Sequence, residues 1–228
     1  MNIMELTDST INILKNYATI NPNIVVENGN TLKTISVARN LFSSTETVED
    51  FPQTFGIYDL NEFLNVLSLV QSPTLRFESD YVVVSDNTGR SSVKYFFSDP
   101  DMLTTPNKSV NMPDAEVKFS LDTDTLSKIK RASAALGHDE ISITPSDGAI
   151  TLTVKDSKDA TSNTFAIDVE GEYPEGVDFN FILNVGNLKV VNEDFDVSIS
   201  SKLISQFKSK QSATEYFIAL EKTSVYGA

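Results

Sequence analysis

The same order of sequence patterns occurs twice along this chain of 228 residues. A helical pattern opens near Ser9 and is followed by Asn28-Gly29, and another opens near Asp124 and is followed by Asp147-Gly148. Asn-Gly and Asp-Gly between hydrophobic runs are strong hairpin signals, because both central residues of the tight turn need positive φ. The chain is therefore expected to contain two structural copies, each with a helix followed by a hairpin.

A second short helical pattern and a run of strands follow in each copy. The two short helical patterns lie at Leu60 to Leu69 and at Val185 to Val191. Between the copies, residues 99–113 carry three prolines and little periodicity, which is typical of a linker. These features predict an α+β protein of two similar domains, residues 1–110 and 111–228, each with antiparallel sheets and two helices. Such a repeat favours an assembly element over a catalytic cleft.

Strands are predicted from alternating or continuous apolar runs. They lie at residues 2–6, 24–27, 32–37, 74–78, 81–86, 91–97, 116–121, 164–170, 179–183, 195–200, 203–208 and 215–221. Residues 40–53 are polar and receive no assignment.

Composition narrows the classes of function. The chain has no cysteine, which excludes disulfides, thiolate metal sites and a cysteine nucleophile. No stretch approaches 18 apolar residues and the first residues carry no basic segment, so neither a membrane span nor a secretion signal is expected. The formal net charge of −14 opposes nucleic-acid binding by the average surface. Binding depends on the local surface, so the positions of the 18 Lys and Arg residues matter more.

The exposed faces of the predicted helices carry basic and amide side chains in an otherwise acidic protein. In the first helix, Ile11, Leu14 and Ala18 form the expected buried stripe, with Tyr17 at its edge. A lysine on any one helix is usually solvated surface, but all four predicted helices share the bias. The residues expected to face outward and contact a phosphate backbone are Asn12, Lys15, Asn16, Lys128, Lys130, Arg131 and Lys189.

No catalytic, cofactor-binding or metal-binding residue is expected. His138 is the only histidine, so a serine-histidine-acid set has no support. Asp122 and Asp124 fit the start of the following helix better than a metal site. The chain has neither a Gly-Lys-Ser/Thr phosphate loop nor a Gly-x-Gly-x-x-Gly motif.

Several segments, in order along nearly the whole chain, match one family. They are Leu14-Lys15-Asn16-Tyr17-Ala18-Thr19-Ile20-Asn21, Ile57-Tyr58-Asp59-Leu60-Asn61-Glu62-Phe63-Leu64, Leu67-Ser68-Leu69-Val70, Asp99-Pro100, Pro106-Asn107-Lys108, Phe179-Asn180-Phe181-Ile182 and Tyr216-Phe217-Ile218-Ala219-Leu220-Glu221. On these segments the chain resembles the sliding clamps of T-even-type bacteriophages, the ring-shaped processivity factors of the replicative DNA polymerase. None of the segments is a catalytic signature, so the resemblance rests on their number and order.

The resemblance implies a closed head-to-tail ring in which helices line a hole around double-stranded DNA. Its implied partners are that DNA, the replicative polymerase, a separate ATP-driven clamp loader and late-transcription factors, in the cytoplasm of the infected bacterial host; no membrane and no cofactor are expected. An edge strand from each domain would pair across subunits, near residues 91–97 and 163–170. The residues expected at this interface are Val93, Tyr95, Phe97, Phe165, Ile167 and Val169.

The size of the hole selects a homotrimer within this family. With packed helices about 9 Å apart and about 10 Å wide, the eight helices of a dimer leave only ~13 Å clear. The twelve helices of a trimer leave about 24 Å, which admits a duplex.

Two other functions stay open at this point. An acidic, oligomeric phage structural or assembly protein would show the same strand-rich composition. A hydrolase with an acidic active site has only scattered Asp and Glu residues in its favour, with no positioned partner.

Overall fold

The computed structural model describes residues 3–86, 88–106 and 108–227. The chain divides into two compact units, Met1–Ser109 and Val110–Ala228, named here the N-terminal and the C-terminal unit. Asn2 of the first predicted strand and Asn107 of one family segment lie outside the described residues.

The N-terminal unit contains two α-helices and antiparallel strands. The helices are α1, Asp8–Ile20, and α2, Leu60–Ser68. The strands are β1 Ile3–Glu5, β2 Ile24–Val26, β3 Gly29–Ile35, β4 Leu41–Phe51, β5 Phe55–Ile57, β6 Thr74–Phe77, β7 Tyr81–Ser85 and β8 Ser92–Phe96. One sheet has the order β1-β6-β7-β8, while β2 pairs with β5 and β3 pairs with β4. A 3-10 helix at Pro100–Met102 follows β8.

The C-terminal unit contains one α-helix, α3, at Thr123–Leu136. Its strands are β9 Val117–Leu121, β10 Glu140–Ser146, β11 Ala149–Lys155, β12 Phe165–Val169, β13 Gly171–Glu172, β14 Phe179–Asn184, β15 Phe195–Ser200, β16 Ile204–Ser209, β17 Glu215–Ala219 and β18 Val225–Tyr226. One sheet has the order β12-β11-β10-β14-β18, and β13, β9, β15, β16 and β17 are neighbours in that order in another.

The strand order repeats between the two units. The strand before the first helix of each unit pairs with the first of three consecutive antiparallel strands. This order is β1-β6-β7-β8 in the N-terminal unit and β9-β15-β16-β17 in the C-terminal unit. The predicted repeat and the predicted α+β class with antiparallel sheets are therefore present in the topology.

The predicted second helix of the C-terminal unit is wrong. Only Val185–Asn187 is helical in that segment, and it is a 3-10 helix. Gly186 and the neighbouring β-branched valines disfavour an α-helix. Buried Leu188 and Val190 flank exposed Lys189, which is the two-residue period of an extended chain. The described residues thus contain three α-helices where four were expected.

One of the two predicted hairpins is present. Strands β10 and β11 pair as far as Ser146 and Ala149, so Asp147-Gly148 is their two-residue turn, with Gly148 at φ 74°. Asn28-Gly29 instead joins two strands with other partners, because β2 pairs with β5 and β3 pairs with β4. The Asn28 side chain donates to the Phe51 carbonyl at 3.2 Å, which holds this connection against the end of β4. The hairpin prediction at Asn28-Gly29 is therefore wrong.

Candidate nucleic-acid interface

Helix α1 turns a different stripe toward the core from the one predicted. The side chains buried on it are Thr10, Ile13, Leu14, Tyr17 and Ile20. Tyr17 is fully buried and its hydroxyl accepts a hydrogen bond from Ser43 Oγ at 3.1 Å. Ile11 and Ala18, predicted inside, are only half-buried. The stripe is centred on Tyr17 because its large ring fills the core and its hydroxyl finds a buried partner.

This orientation decides which residues of α1 face solvent. Asn12 and Lys15 are exposed on the side away from Tyr17, whereas Asn16 is half-buried at the flank. Exposed Asp8 lies about two turns before Lys15 on the same side. The exposed side of α1 therefore offers one cation and one carboxylate.

A buried carboxylate fixes the start of α1. Glu49, on β4, is 8% exposed. Its two oxygens accept hydrogen bonds from the Thr7 N–H and the Thr10 hydroxyl, each at 2.5 Å. Burial acts to raise the pKa of Glu49, but the hydrogen bonds from Thr10 and Thr7 outweigh it and leave the pKa below its usual value. Sequence reasoning missed this contact because Glu49 lies in a segment without a predicted strand.

Helix α3 is capped by residues next to it in sequence. Asp122 accepts the Thr125 N–H at 2.6 Å, and Gly137 ends the helix in the left-handed region at φ 70°. The expectation that Asp122 serves the helix start is thus confirmed. The side chains buried on α3 are Thr125, Leu126, Ile129 and Ser133.

The three cations of α3 spread around its exposed half. At about 100° per residue, Lys128 and Lys130 lie roughly 200° apart and flank the buried stripe on opposite sides. Lys128 Nζ is 2.6 Å from Asp124 Oδ2, one turn earlier. Exposed Arg131 lies between the two lysines on the outward side, and its Nε donates to the Ser127 carbonyl at 3.4 Å. The cationic surface of α3 is therefore a band centred on Arg131.

Lys130 is less suited to a phosphate contact than Arg131. Its side chain is half-buried, and burial lowers the pKa of its ammonium group. Lys189 is exposed and follows the 3-10 helix, whose Val185 N–H donates to the Asp139 carbonyl at 2.7 Å. The segment that carries Lys189 therefore starts beside the residues that follow α3.

The helices of the N-terminal unit do not share the basic bias that was expected of all helices. Across α1, α2 and their caps, the exposed charged side chains are Asp8, Asp59 and Glu62 against Lys15 alone. On α3 the acids lie only at the start of the helix, and the cations occupy its middle. A phosphate backbone would therefore meet favourable charge mainly on the C-terminal unit.

The interface residues predicted on β8 and directly after it face the interior of their own unit. Strand β8 is an end strand of its sheet, and its side chains alternate between two faces. Val93, Tyr95 and Phe97 are half-buried. The Tyr95 ring packs edge-on against Phe63 of α2 with centroids 5.2 Å apart, and Phe97 packs against Phe55 at 4.7 Å. Contacts across subunits would therefore use the backbone edge and only the outer parts of these side chains.

The outward face of the β7–β8 pair carries a cation and two aromatic rings. Phe96 is 63% exposed. Lys94 Nζ lies 3.8 Å from the centre of the Tyr81 ring and 5.3 Å from that of Phe96. Sequence reasoning missed these residues, although the alternation along β8 could have indicated them.

Strand β12 is likewise an end strand of its sheet. Phe165, Ile167 and Val169 are half-buried, and Ala166 and Asp168 are exposed. Asp168 accepts a hydrogen bond from the Thr151 hydroxyl of the neighbouring strand at 2.6 Å. Both strands predicted to form the subunit interface thus have an open edge, and their pairing stays a prediction.

Other kinds of site find no support in the described part of the chain. No group of three or more His, Asp or Glu side chains there is placed to hold a metal ion. No described helix is long and apolar enough to cross a membrane. His138 Nε2 bonds the Asn163 carbonyl at 3.0 Å and so ties the end of α3 to the start of β12.

Two family models match the chain. The family described as gp45 sliding clamp, C terminal, matches residues 118–222, and the family described as DNA polymerase processivity factor matches residues 7–76. The first match lies in the C-terminal unit and the second in the N-terminal unit.

Three curated relatives are similar along almost their whole length. The chain is 34% identical to the sliding clamp of Vibrio phage KVP40, over 96% of this chain and 99% of the relative. It is 30% identical to the sliding clamps of Escherichia phage RB69 and Enterobacteria phage T4, in each case over 98% of this chain and 99% of the relative.

Solved structures share the fold at low sequence identity. Proliferating Cellular Nuclear Antigen from Entamoeba histolytica matches with a TM-score of 0.70 and 16% identity, over 96% of this chain and 98% of that one. A chain of the PCNA2-PCNA3 complex from Sulfolobus tokodaii matches with a TM-score of 0.68 and 17% identity, over the same shares. The two-unit topology is therefore that of these clamp structures.

Proposed function

This chain belongs to the sliding clamp family of T4-like phages, and from that premise we propose that it encircles duplex DNA as a closed homotrimeric ring. As a processivity factor of phage DNA replication, it tethers the replicative polymerase to its template. The full-length similarity to the phage sliding clamps is the observation that carries the proposal. The same similarity argues against the alternative function, that of a structural or assembly protein.

The DNA contacts of such a ring are weak and go to the phosphate backbone. The exposed cations of α3, centred on Arg131, supply attraction, while the net charge of −14 keeps the rest of the surface from holding DNA. Backbone contacts carry no sequence information, so the ring can slide. Retention is topological, because a closed ring cannot leave sideways however weak each contact is.

The trimer follows from the size of a duplex. The described residues of each chain contain three α-helices, and in the repeated topology the 3-10 helix at Val185–Asn187 stands where a fourth would. Three chains then provide twelve lining elements, which at a spacing of about 9 Å leave an opening of about 24 Å. The open edges of β8 and β12 support a head-to-tail contact, because unlike edges on the two units are what such a ring requires.

The chain acts without chemistry of its own in this proposal. It opens and closes on DNA through a separate ATP-driven clamp loader, and it works in the cytoplasm of the infected bacterium. The polymerase, the loader and late-transcription factors are its proposed protein partners. The sequence supports this view by its lack of a phosphate loop and of a serine-histidine-acid set.

The mass of the particle in solution tests the proposed assembly. Three chains of 25.1 kDa give about 75 kDa, and analytical ultracentrifugation should find this species at micromolar concentration. A particle that stays monomeric or dimeric at high micromolar concentration would contradict the homotrimer.

A further inference from the structure

The backbone geometry of β8 shows which of its residues can bond to another strand. The Phe97 N–H donates to Asp80 O at 2.9 Å and the Asp86 N–H donates to Ser91 O at 3.3 Å, so odd-numbered residues here bond toward β7. In an antiparallel sheet, alternate residues bond to one neighbour and the residues between them bond to the other. The residues whose N–H and C=O groups point to the open edge are therefore Ser92, Lys94 and Phe96.

In β12, the order of strands in its sheet determines which residues point to the open edge. The Val185 N–H donates to Asp139 O at 2.7 Å in the β10–β14 register, so odd-numbered residues of β10 bond toward β14. Even-numbered residues of β10 therefore bond to odd-numbered residues of β11. Even-numbered residues of β11 then bond to odd-numbered residues of β12. The residues of β12 that point backbone groups to the open edge are therefore Ala166 and Asp168.

We infer that β8 of one copy pairs antiparallel with β12 of the next copy in the register that places Lys94 opposite Asp168. This inference rests on the proposed head-to-tail ring and names the contact that closes it. The other pairs in this register are Phe96 with Ala166, Val93 with Val169, Tyr95 with Ile167 and Phe97 with Phe165.

Both faces of the joined sheet agree with this register. On the outer face, the one cation of β8 meets the carboxylate of β12, and the exposed Phe96 ring lies over the small Ala166. On the inner face every opposed pair is apolar or aromatic. That face of β8 packs against α2 through Tyr95 and Phe63, and β12 packs against α3. Pairing in this register therefore brings α2 of one copy and α3 of the next to the same side of the sheet.

Registers shifted by two residues fit less well. A shift that places Lys94 opposite Ala166 leaves Phe97 facing Asn163 and separates the charges. A shift the other way places Lys94 opposite Glu170 but sets Phe96 against the carboxylate of Asp168. That second shift also requires Gly171, which already pairs with Phe119.

Engineered disulfides test the register directly, because the chain has no cysteine of its own. The variant with Lys94→Cys and Asp168→Cys should form covalent dimers and trimers on mild oxidation, seen on a non-reducing gel. Directly opposed residues have Cα atoms about 5.5 Å apart, within the range of a disulfide. Two matched controls place the cysteines diagonally, at about 7–8 Å: Lys94→Cys with Ala166→Cys, and Phe96→Cys with Asp168→Cys.

The outcomes separate this register from the proposed ring itself. Strong cross-linking of the first variant and weak cross-linking of both controls supports the inference. Stronger cross-linking in either control, or none in any variant while the wild-type particle is trimeric, overturns the register and leaves the ring standing. A wild-type chain that does not assemble overturns both.

A charge exchange tests the ion pair without new covalent bonds. Lys94→Asp or Asp168→Lys alone places like charges opposite each other and should raise the dissociation constant of the trimer by about tenfold or more. The double variant restores opposite charges and should return the constant to within about threefold of wild type. Equal weakening in the double variant and the single variants would contradict the pairing of Lys94 with Asp168.

Discussion

Helices α1 and α3 hold the same place in the repeated topology but differ in charge and in how deeply the distant carboxylate at their start is buried. Each follows the first strand of its unit. Each start has a local cap, Thr7 on α1 and Asp122 on α3, and also bonds a carboxylate from far along the chain. That carboxylate is the buried Glu49 for α1 and the half-buried Asp194, which accepts the Thr123 N–H at 2.8 Å, for α3. The exposed side of α1 offers Lys15, and that of α3 offers Lys128 and Arg131. A repeated fold therefore does not imply a repeated surface: in this clamp the C-terminal unit supplies most of the positive charge.

The largest effect is expected from removing the long-range cap of α1. Glu49→Ala takes a nearly buried carboxylate from the Thr7 N–H and the Thr10 hydroxyl. Hydrogen bonds to a charged group are worth about 2 kcal/mol, so the free energy of unfolding should fall by roughly that amount. Urea unfolding followed by circular dichroism measures it.

The same carboxylate predicts a dependence on pH. Because the folded pKa of Glu49 lies below the unfolded value, its contribution is complete above the unfolded pKa of about 4.3 and is lost as the pH falls through the folded pKa. In Glu49→Gln the free energy of unfolding should therefore fall less steeply than in wild type as the pH drops below about 4.5. A variant that loses stability on acidification as steeply as wild type would show that other groups dominate.

The next largest effect concerns DNA. Arg131→Glu should weaken binding of duplex DNA by about tenfold at low salt and lower the salt slope by about 1, because the outward centre of the α3 band is reversed. Fluorescence anisotropy at several salt concentrations measures both quantities. The control is Lys202→Glu, which makes the same change of charge at an exposed residue between β15 and β16. Equal weakening by the two variants would mean that only net charge matters.

A smaller effect is expected from the local cap of α3. Asp122→Ala removes the acceptor of the Thr125 N–H and should lower the free energy of unfolding by about 1 kcal/mol. Denaturant titrations of this variant and of Glu49→Ala side by side compare the local with the long-range cap. A larger loss for Asp122→Ala would mean that the local cap of α3 stabilises the protein more than the distant carboxylate of α1 does.

The smallest effect is expected at the single cation of α1. Lys15→Glu should weaken duplex binding by no more than about threefold, since Asp8 and other carboxylates of the N-terminal unit already oppose DNA there. The same anisotropy titrations used for Arg131→Glu give the number. If Lys15→Glu equals Arg131→Glu, the two units share the DNA contacts evenly.

The sequence indicated most of the fold where local signals and packing agree. The predicted bounds of strand Phe195–Ser200 match the structure, and helix α3 begins at Thr123, one residue before the predicted start near Asp124. Strand β4 was not predicted. Ser43 and other polar residues on it are buried, because the tertiary fold supplies hydrogen-bond partners such as the Tyr17 hydroxyl for Ser43. The contact between Ser43 and Tyr17 also determines which face of α1 is buried, so the predicted buried stripe through Ile11 is rotated from the observed one.

The hairpin and the helix predicted from local sequence patterns are absent where contacts with distant residues determine the structure. Asn28-Gly29 has the hairpin sequence, yet β2 and β3 pair with β5 and β4. At Val185–Asn187 the apolar spacing fitted a helix as well as an extended chain, and burial of Leu188 and Val190 settled it. For the candidate site, residue types were predictable from sequence, but the contrast between units rests on the exposure of Asp8, Asp59 and Glu62, which the structure shows.

Retention on DNA circles tests the encircling ring most directly. The protein, loaded on a nicked circular duplex by the clamp loader of its phage with ATP, should stay with the circle through gel filtration at high salt. After one restriction cut it should slide off the ends and elute separately. Equal retention on circular and linear DNA would contradict a closed ring that holds DNA by topology.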